Sequence, residues 1–594
     1  MRRLLPTVGL TLACALALAG CDVKFSLGFG TGSDGTFEGS ELTVPVLFAS
    51  GKKGGVTAQR ITAQSADGGD LSIDITENDV SGVDPVTQSA TWTAVTAATL
   101  LTGARADTAY TFGFDARIAT PAAGAVTAVG VLALYYGTEV QPGVALAGGV
   151  TPLGTVSPVA GLPEQVSAAI EAGGIDTILV PAGQRTAVDA EGAAVDLDQL
   201  AATGGMTITE VADIASAYAV MTGEDLPEAA FPTPAASPTA LPTAVDAPAD
   251  GASTASEVDD TLIAAVDDAL DRARASSETA GDSVLADRAR TALARAESLR
   301  GAGDVAGALA AALSCADLSA AAAAPAMTAA EAAALADDTS AAADAMLADL
   351  TDAPGSLDDA DALLATIGSA AEAWALASAA QAVLAVDADP SLVPAGLTAA
   401  ALASSSLEAA RSLGGLRDAA PGAGPLATDA DLDGLASLLR RAAIAATDAY
   451  DARAGDTPPA ADDPALIRLR ALEAARDDFS ARADDGGVWV ALGLASTTFA
   501  RSSAPLAALQ AVRVPEGVDP SGAVAQRIAI GDEYAVRAVD ALTTAGAEVP
   551  LLRGALADAA AAASADPVPG ASAVFIPPFL RARVLAFAGG VERD

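Results

Sequence analysis

The sequence predicts an α+β N-terminal module followed by an all-α C-terminal domain of helical hairpins with a repeat-like character. Strand-like and helix-like stretches alternate across residues 41–222, whereas residues 257–594 are rich in Ala and Leu at helical spacing. Residues 223–256 are rich in Pro, Ala, Ser and Thr, a composition typical of a linker. A chain of 594 residues is also too long for one compact core, so at least two domains are expected.

Short β-branched and apolar runs predict the strands of the N-terminal module. They lie at 42–48, 56–63, 70–75, 108–116, 144–146, 150–156, 177–180 and 207–211. Longer apolar runs predict helices at 90–101, 123–136, 162–172 and 212–221. Gly103 and Gly137 follow the first two of these helices, as expected of residues that end helices.

Helical spacing dominates the C-terminal domain. Two apolar faces show it, one formed by Leu262, Ala265, Val266, Ala269 and Leu270 and the other by Leu285, Ala289, Ala292, Leu293 and Ala296. The sequence Gly-Ala-Gly-Asp at 301–304 separates two helices that would pack as an antiparallel pair. Further Pro and Gly breaks predict about 8–12 helices, and because no repeat period persists we expect irregular hairpins.

Charge and residue usage exclude several classes of function. The formal net charge of −44 argues against nucleic acid and anionic membrane surfaces as partners, since both are polyanions. The chain has no histidine, which excludes Ser-His-Asp and Cys-His catalysis and His-ligated zinc. An acidic stretch at 429–434 matches the first half of a calcium loop, but its twelfth position is Arg440. We therefore predict no metal site.

The N-terminus predicts export and lipid anchoring. Residues 1–20 combine a basic start with an apolar run, as in a lipoprotein signal peptide, and the sequence Leu-Ala-Gly-Cys ending at Cys21 resembles the bacterial lipobox. Lipidation of Cys21 would place the protein at the cell envelope, anchored to a membrane and facing its extracytoplasmic side, with residues 21–40 as a flexible tether. No C-terminal transmembrane helix is predicted. Since Cys14 falls within the signal, Cys315 is left without a disulfide partner and is expected to be a buried apolar residue.

Four motifs between residues 118 and 181 resemble one enzyme family. T-P-A-A-G occupies 120–124, A-G-G occupies 147–149, G-T-V-S-P-V-A-G-L occupies 154–162 and T-I-L-V-P occupies 177–181. Together they resemble the proteolytic domain of the Lon family, which are serine peptidases that use a Ser–Lys pair. The resemblance extends over about residues 41–222 and is closest in style to secreted Lon-like proteins of archaeal type. It implies a Lon-like α+β fold for the module.

The resemblance also implies that the catalytic pair is missing. Ala122 stands where the family has its serine and Gln165 where it has its lysine. A Ser–Lys pair needs a hydroxyl to attack the peptide carbonyl and an amine of lowered pKa to take the proton. Alanine has no oxygen and glutamine is not a base, and the chain's only lysines are Lys24, Lys52 and Lys53. We therefore predict no catalytic residues and an inactive site, a pseudoprotease.

Peptide binding is a property that the module could retain without catalysis. The family holds its substrate as an extended strand beside the nucleophile turn, which is binding by strand addition. The resemblance implies that a peptide would contact Thr120, Pro121, Ala123, Gly124, Gly148 and Gly149. No G-x-x-x-x-G-K-(S/T) motif is present, so we predict no ATPase module and no cofactor.

Three functions remain open on the sequence. The first is an exported, lipid-anchored and inactive Lon-like protein that binds or scaffolds an unknown protein or peptide. The second is an active Lon-like serine-type endopeptidase with a non-standard site, for which Ser157 and Glu164 are the nearest candidates. The third is a purely structural envelope lipoprotein, which a groove blocked by the protein's own side chains would favour.

Overall fold

The computed structural model describes most of both predicted domains. The described residues are 40–65, 72–77, 83–102, 108–227, 257–385, 389–417, 422–428, 430–454, 463–510, 521–568 and 570–591. The predicted signal peptide, the predicted lipidation site Cys21, the predicted tether up to residue 39 and nearly all of the predicted linker lie outside these residues.

The N-terminal module is an α/β layer around a mixed sheet. Its strands are β1 (Ser40–Ser50), β2 (Lys53–Ser65), β3 (Ser72–Glu77), β4 (Thr108–Phe114), β5 (Val144–Leu146), β6 (Gly149–Val150), β7 (Val156–Ser157), β8 (Thr177–Pro181), β9 (Thr186–Val188), β10 (Ala194–Asp196) and β11 (Thr207–Val211). Its helices are α1 (Pro85–Thr102), α2 (Ala123–Tyr136), α3 (Leu162–Ala172), α4 (Leu197–Ala202) and α5 (Ile214–Thr222). The strand order of the seven-stranded main sheet is β11-β8-β5-β1-β2-β4-β3.

Strand β1 lies at the centre of the main sheet and divides its two faces. It pairs antiparallel with β2 along its whole length and parallel with β5, where Val46 lies opposite Leu146. Because side chains alternate along a strand, Val46 packs into the cluster that contains α1 and α2, and Leu47 packs into the cluster that contains α3. Helices α2 and α3 thus cover opposite faces of the sheet.

The predicted strand at 150–156 is wrong. The chain instead forms two short strands, β6 and β7, which pair antiparallel around a turn between Thr151 and Thr155. Gly154 occupies the left-handed region at φ +78° in that turn, a conformation that glycine adopts without strain. The small β9–β10 sheet and α4 were not predicted, because elements of three to six residues carry little periodicity.

The C-terminal domain is all-α, as predicted. Its helices are α6 (Glu257–Thr279), α7 (Val284–Ala302), α8 (Val305–Ala323), α9 (Ala329–Asp349), α10 (Leu357–Leu384), α11 (Val393–Gly414), α12 (Leu432–Ala454), α13 (Pro464–Ala474), α14 (Arg476–Gly486), α15 (Val488–Leu509), α16 (Ser521–Thr544), α17 (Pro550–Ala565) and α18 (Ile576–Ala588). Helices α7 and α8 pack together across the predicted break at 301–304. Cys315 on α8 is a buried free thiol, as expected, and burial raises its pKa.

Helix α10 carries three buried carboxylates that bind groups of neighbouring helices. Asp358 accepts hydrogen bonds from the backbone N–H groups of Glu548 and Val549, at 2.9 and 2.8 Å, and Asp361 accepts one from the N–H of Leu552 at 3.1 Å. These bonds hold the start of α17, where Val549 has the unusual φ of +39°. Burial raises the pKa of Asp358 to about 6.

The third carboxylate of α10 belongs to an ion network. Glu372 is buried between Arg468, at 3.0 Å, and Arg501. Arg468 is itself buried and also pairs with Asp317 of α8 at 2.5 Å. Each charge in this network has an opposite charge in contact, which is the condition under which buried ions are tolerated.

Among the residues that the structure describes, three helices are long and apolar enough to cross a membrane, judged by length and composition alone. They are Val305–Ala326, Leu357–Leu384 and Ala571–Ala588. The third lies near the C-terminus, where no such helix was predicted. Most of Leu357–Leu384 and of Ala571–Ala588 is buried inside the fold.

The two domains share one hydrophobic core. Helix α1 of the N-terminal module packs along α12, where Val86 contacts a cluster that includes Ala446 and Ala449. Arg583 of α18 is buried and donates hydrogen bonds to the backbone carbonyls of Leu100, at 2.8 Å, and Leu101, at 2.9 Å. The carbonyls at the end of α1 are thus satisfied by an arginine from the other domain.

We expect Arg583→Met to lower the free energy of unfolding by about 2–4 kcal/mol, because it removes the buried arginine donor from two backbone carbonyls. Urea unfolding of the chain from residue 22 measures this loss. Arg288→Met is the matched control, since Arg288 forms an exposed pair with Asp566 and its loss should cost about 0.5 kcal/mol. Equal losses in the two variants would contradict the role given to Arg583.

Candidate functional site

The candidate site begins at the turn before α2. The Thr120 hydroxyl accepts a hydrogen bond from the N–H of Ala122 at 3.1 Å, and the Pro121 carbonyl accepts one from Gly124 at 3.0 Å. These bonds fix Ala122 just before the first turn of α2, with φ −65° and ψ −17°. Ala122 is fully buried, so a substrate has no direct access to this position.

Gln165 lies in the first turns of α3. Gly161, at φ +73°, and Pro163 shape the start of this helix. Gln165 is fully buried, and its amide nitrogen donates to the carbonyl of Ala160 at 3.1 Å. Its amide oxygen is also buried and has no hydrogen-bond partner among the described residues. Gln165 is therefore an uncharged buried side chain that donates a hydrogen bond to one loop carbonyl.

An apolar cluster includes Ala122 and the residue next to Gln165. Ala122 belongs to the cluster on the α3 face of the sheet, and Val166 of α3 lies in that same cluster. The remaining fully buried members are Leu47, Ala145, Ala147, Leu162, Ala169, Ile178, Val180, Leu197 and Ala201. A serine hydroxyl or a lysine ammonium at these positions would be buried from water, which disfavours polar and charged groups without partners.

The nearby polar residues do not form a substitute pair. Ser157 on β7 is buried against Gly149, and its hydroxyl has no hydrogen-bond partner among the described residues. Glu164 accepts a hydrogen bond from the backbone N–H of Ala190 at 2.8 Å, which uses one of its carboxylate oxygens. Lys52 is exposed and pairs with Glu191 at 2.6 Å.

The residues predicted to contact a peptide are mostly covered. Thr120, Ala123, Gly124, Gly148 and Gly149 are all buried, and only Pro121 is partly exposed. The Gly148 N–H donates to the carbonyl of Ala122 at 3.3 Å, and the Gly148 carbonyl accepts from Ala125 at 3.0 Å. Gly149 pairs with Ser157 between β6 and β7. These backbone groups are therefore engaged within the protein.

Gln184 holds the loop that precedes α3. Its amide oxygen accepts a hydrogen bond from the N–H of Val159 at 2.9 Å, and its amide nitrogen donates to the carbonyl of the same residue at 3.0 Å. The side chain is buried. No local sequence signal marks this role, because the two residues are brought together only by the fold.

Helix α16 of the C-terminal domain contacts the rim of the site. Arg527 donates to the carbonyl of Ala182 at 3.3 Å, and a side chain at Gly183 would collide with Ala523. Burial and the charge of Asp213 raise the pKa of Tyr534 well above its ordinary value. Sequence reasoning missed this contact, since more than three hundred residues separate its two sides.

Metal binding has no support among the described residues. They contain no group of three or more Cys, Asp or Glu side chains arranged to hold an ion. Asp429 of the half calcium loop lies outside them. The Asp431 carboxylate accepts a hydrogen bond from the N–H of Gly434 at 2.9 Å, as expected of a residue that caps a helix N-terminus.

The part of the chain that contains these positions resembles a known protein family. Residues 118–216 match the family model of the Lon protease (S16) C-terminal proteolytic domain. The matched region includes both Ala122 and Gln165, together with β5 to β11 and the helices between them. No curated protein matches the chain. With the mixed sheet and the motifs of residues 120–181, this match shows that the chain contains a Lon-family proteolytic domain.

Proposed function

We propose that the Lon-like domain is catalytically inactive and serves as a scaffold that supports the helical domain at the cell envelope. The observation that carries this proposal is the complete burial of Ala122 and Gln165 beside one apolar cluster. Peptide hydrolysis by this family's chemistry needs an accessible hydroxyl and a base. Position 122 offers neither access nor oxygen, and position 165 offers no base.

The backbone hydrogen bonds around the site favour scaffolding over peptide capture. Strand addition requires an edge with free N–H and C=O groups. The hydrogen bonds of Gly148 and the pairing of Gly149 engage these groups within the domain. The domain instead offers its outer surfaces, α1 and the loop after β8, to the helices of the C-terminal domain.

Export and lipid anchoring complete the proposal. The sequence ending at Cys21 supports a lipid anchor, and the high acidity of the chain favours a solvated location facing away from the membrane surface. The partner of this scaffold is an unidentified protein or peptide. Neither ATP nor nucleic acid enters the proposed function.

We expect Gln165→Lys to destabilise the protein by about 3 kcal/mol at pH 7, because the lysine would replace a neutral side chain in a fully buried site. Burial lowers the pKa of such a lysine, so the native state binds fewer protons than the unfolded state. The loss should then shrink as the pH rises toward 10. Thermal unfolding from pH 6 to pH 10 measures this trend.

Gln165→Met is the matched control for this prediction. It keeps the length and burial of the side chain without an ionisable group, so its effect should not change with pH. A Gln165→Lys loss that is equally large at every pH would show that size, rather than charge, is what the site rejects.

A peptidase assay tests directly whether the domain is inactive. The chain from residue 22 should not cleave unfolded casein or a peptide library. The double variant Ala122→Ser plus Gln165→Lys should also remain inactive at pH 9, where the lysine is neutral, because the restored pair would still be covered. Circular dichroism should first establish that the double variant is folded, and each single variant serves as a control.

Two outcomes of this assay would overturn the proposal. Cleavage by the native chain, which is abolished by Ser157→Ala, would indicate a peptidase with a non-standard site. Cleavage by the double variant alone would show that the groove still admits peptide, and a peptide-binding function would then replace scaffolding.

Lipidation is tested separately on the full chain. Expressed with its leader in a bacterial host, the protein should incorporate labelled palmitate and sediment with membranes. Cys21→Ser should lose the label, whereas Cys315→Ser should keep it, because Cys315 is buried in the helical domain. Label that persists in Cys21→Ser would disprove the anchor.

A further inference from the structure

A cavity of about 350 Å³ lies in the helical domain, between α12, α13, α14 and α15. This volume falls within the range of small-molecule sites, about 300–1,000 Å³. Its floor is apolar and buried, and consists of Ala443, Leu472, Phe479, Leu494 and Ala495. An apolar floor with a few polar groups at the wall is typical of a site that binds a small organic molecule.

Two arginines form the polar wall of this cavity. Arg440 of α12 is half-buried and has no ion-pair partner within the described part of the chain. Arg476 of α14 is also half-buried, and its nearest carboxylate is Asp448 at 3.9 Å, beyond hydrogen-bond distance. The cavity thus holds two guanidinium groups whose donors are not satisfied by a carboxylate of the protein.

The acidic residues at the cavity do not neutralise these arginines. Glu473 accepts a hydrogen bond from Arg470 at 2.8 Å and is therefore already paired. Asp433 and Asp484 are exposed at the mouth. Like charges at the mouth disfavour a dianion such as phosphate more strongly than a monoanion.

A second cavity nearby shows the opposite arrangement. It measures about 240 Å³ and is lined by Arg501 and Arg581. Arg501 pairs with the buried Glu372, and Arg581 pairs with the buried Asp361 at 2.9 Å. Its guanidinium groups are used by the fold itself, whereas in the first cavity Arg440 has no ion pair within the described part of the chain and Arg476 has the long 3.9 Å pair with Asp448.

We propose that the first cavity binds a small amphipathic monocarboxylate. The carboxylate accepts hydrogen bonds from Arg440 and Arg476, since the planar guanidinium matches a carboxylate, and the apolar body packs on Leu472, Phe479 and Leu494. The site is separate from the Lon-like domain and does not depend on whether that domain is active.

Octanoate is the probe, compared with octan-1-ol and octylammonium by titration calorimetry on the chain from residue 22. Octanoate should bind most tightly, and Arg440→Gln and Arg476→Gln should each weaken it by about tenfold, the effect of losing one charge-assisted hydrogen bond. Arg441→Gln is the matched control, because Arg441 is the exposed neighbour on the same helix and does not line the cavity.

A second variant tests the apolar floor independently of charge. Ala491→Phe fills the cavity while both arginines stay in place, and it should abolish octanoate binding without lowering the melting temperature. Octanol or octylammonium binding as tightly as octanoate would overturn the proposal. So would a double variant of Arg440 and Arg476 that binds octanoate as well as the Arg441→Gln control does.

Discussion

The structure depends on one constraint, which is that an ionised side chain can be buried only where another charge or a set of hydrogen-bond partners meets it. Glu372 satisfies it by contact with Arg468 and Arg501, and Arg583 satisfies it with the carbonyls at the end of α1. The first case ties three helices of the C-terminal domain together, and the second ties that domain to the Lon-like domain. In an Ala-rich chain whose apolar contacts each bury little area, such polar links determine which helices lie together.

The same constraint explains the state of the candidate site. A Ser–Lys pair keeps a lysine in an apolar setting because catalysis requires a depressed pKa, and the cost in stability is retained only where activity is selected. Gln165 carries no charge, so the cost of burying a lysine does not arise. Its amide nitrogen donates a hydrogen bond to the Ala160 carbonyl. Ala122 likewise removes a hydroxyl that would need a partner next to Leu162 and Val166. Both residues suit a buried position that carries no charge, in line with the inactive site proposed above.

The sequence predicted what local patterns encode. Helix α2 at Ala123–Tyr136 and helix α3 at Leu162–Ala172 have the predicted bounds, since a Pro turn or a Gly marks each of their ends. The fold of the Lon-like domain followed from motifs. The docking of α16 could not be predicted, because it depends on a contact between distant residues, Arg527 with Ala182. The turn between β6 and β7 is local, but its two-residue strands are too short to show a periodic pattern. The burial of the predicted peptide-contact residues could not be predicted either, since Gly148, for example, is covered by Ala125, Val156 and Pro181 from three different segments.

Helix α12 connects the cavity to the Lon-like domain. Ala446 and Ala449 on this helix pack in the cluster of Val86 in α1, whereas Arg440 and Thr447 line the cavity on its other side. A rigid helix transmits a displacement from one face to the other, so a ligand that shifts α12 also changes its contact with α1. The end of α1 is held in turn by Arg583, whose two carbonyl partners limit how far the helix can move. Helix α12 is therefore the element that the cavity and the interface between the two domains have in common.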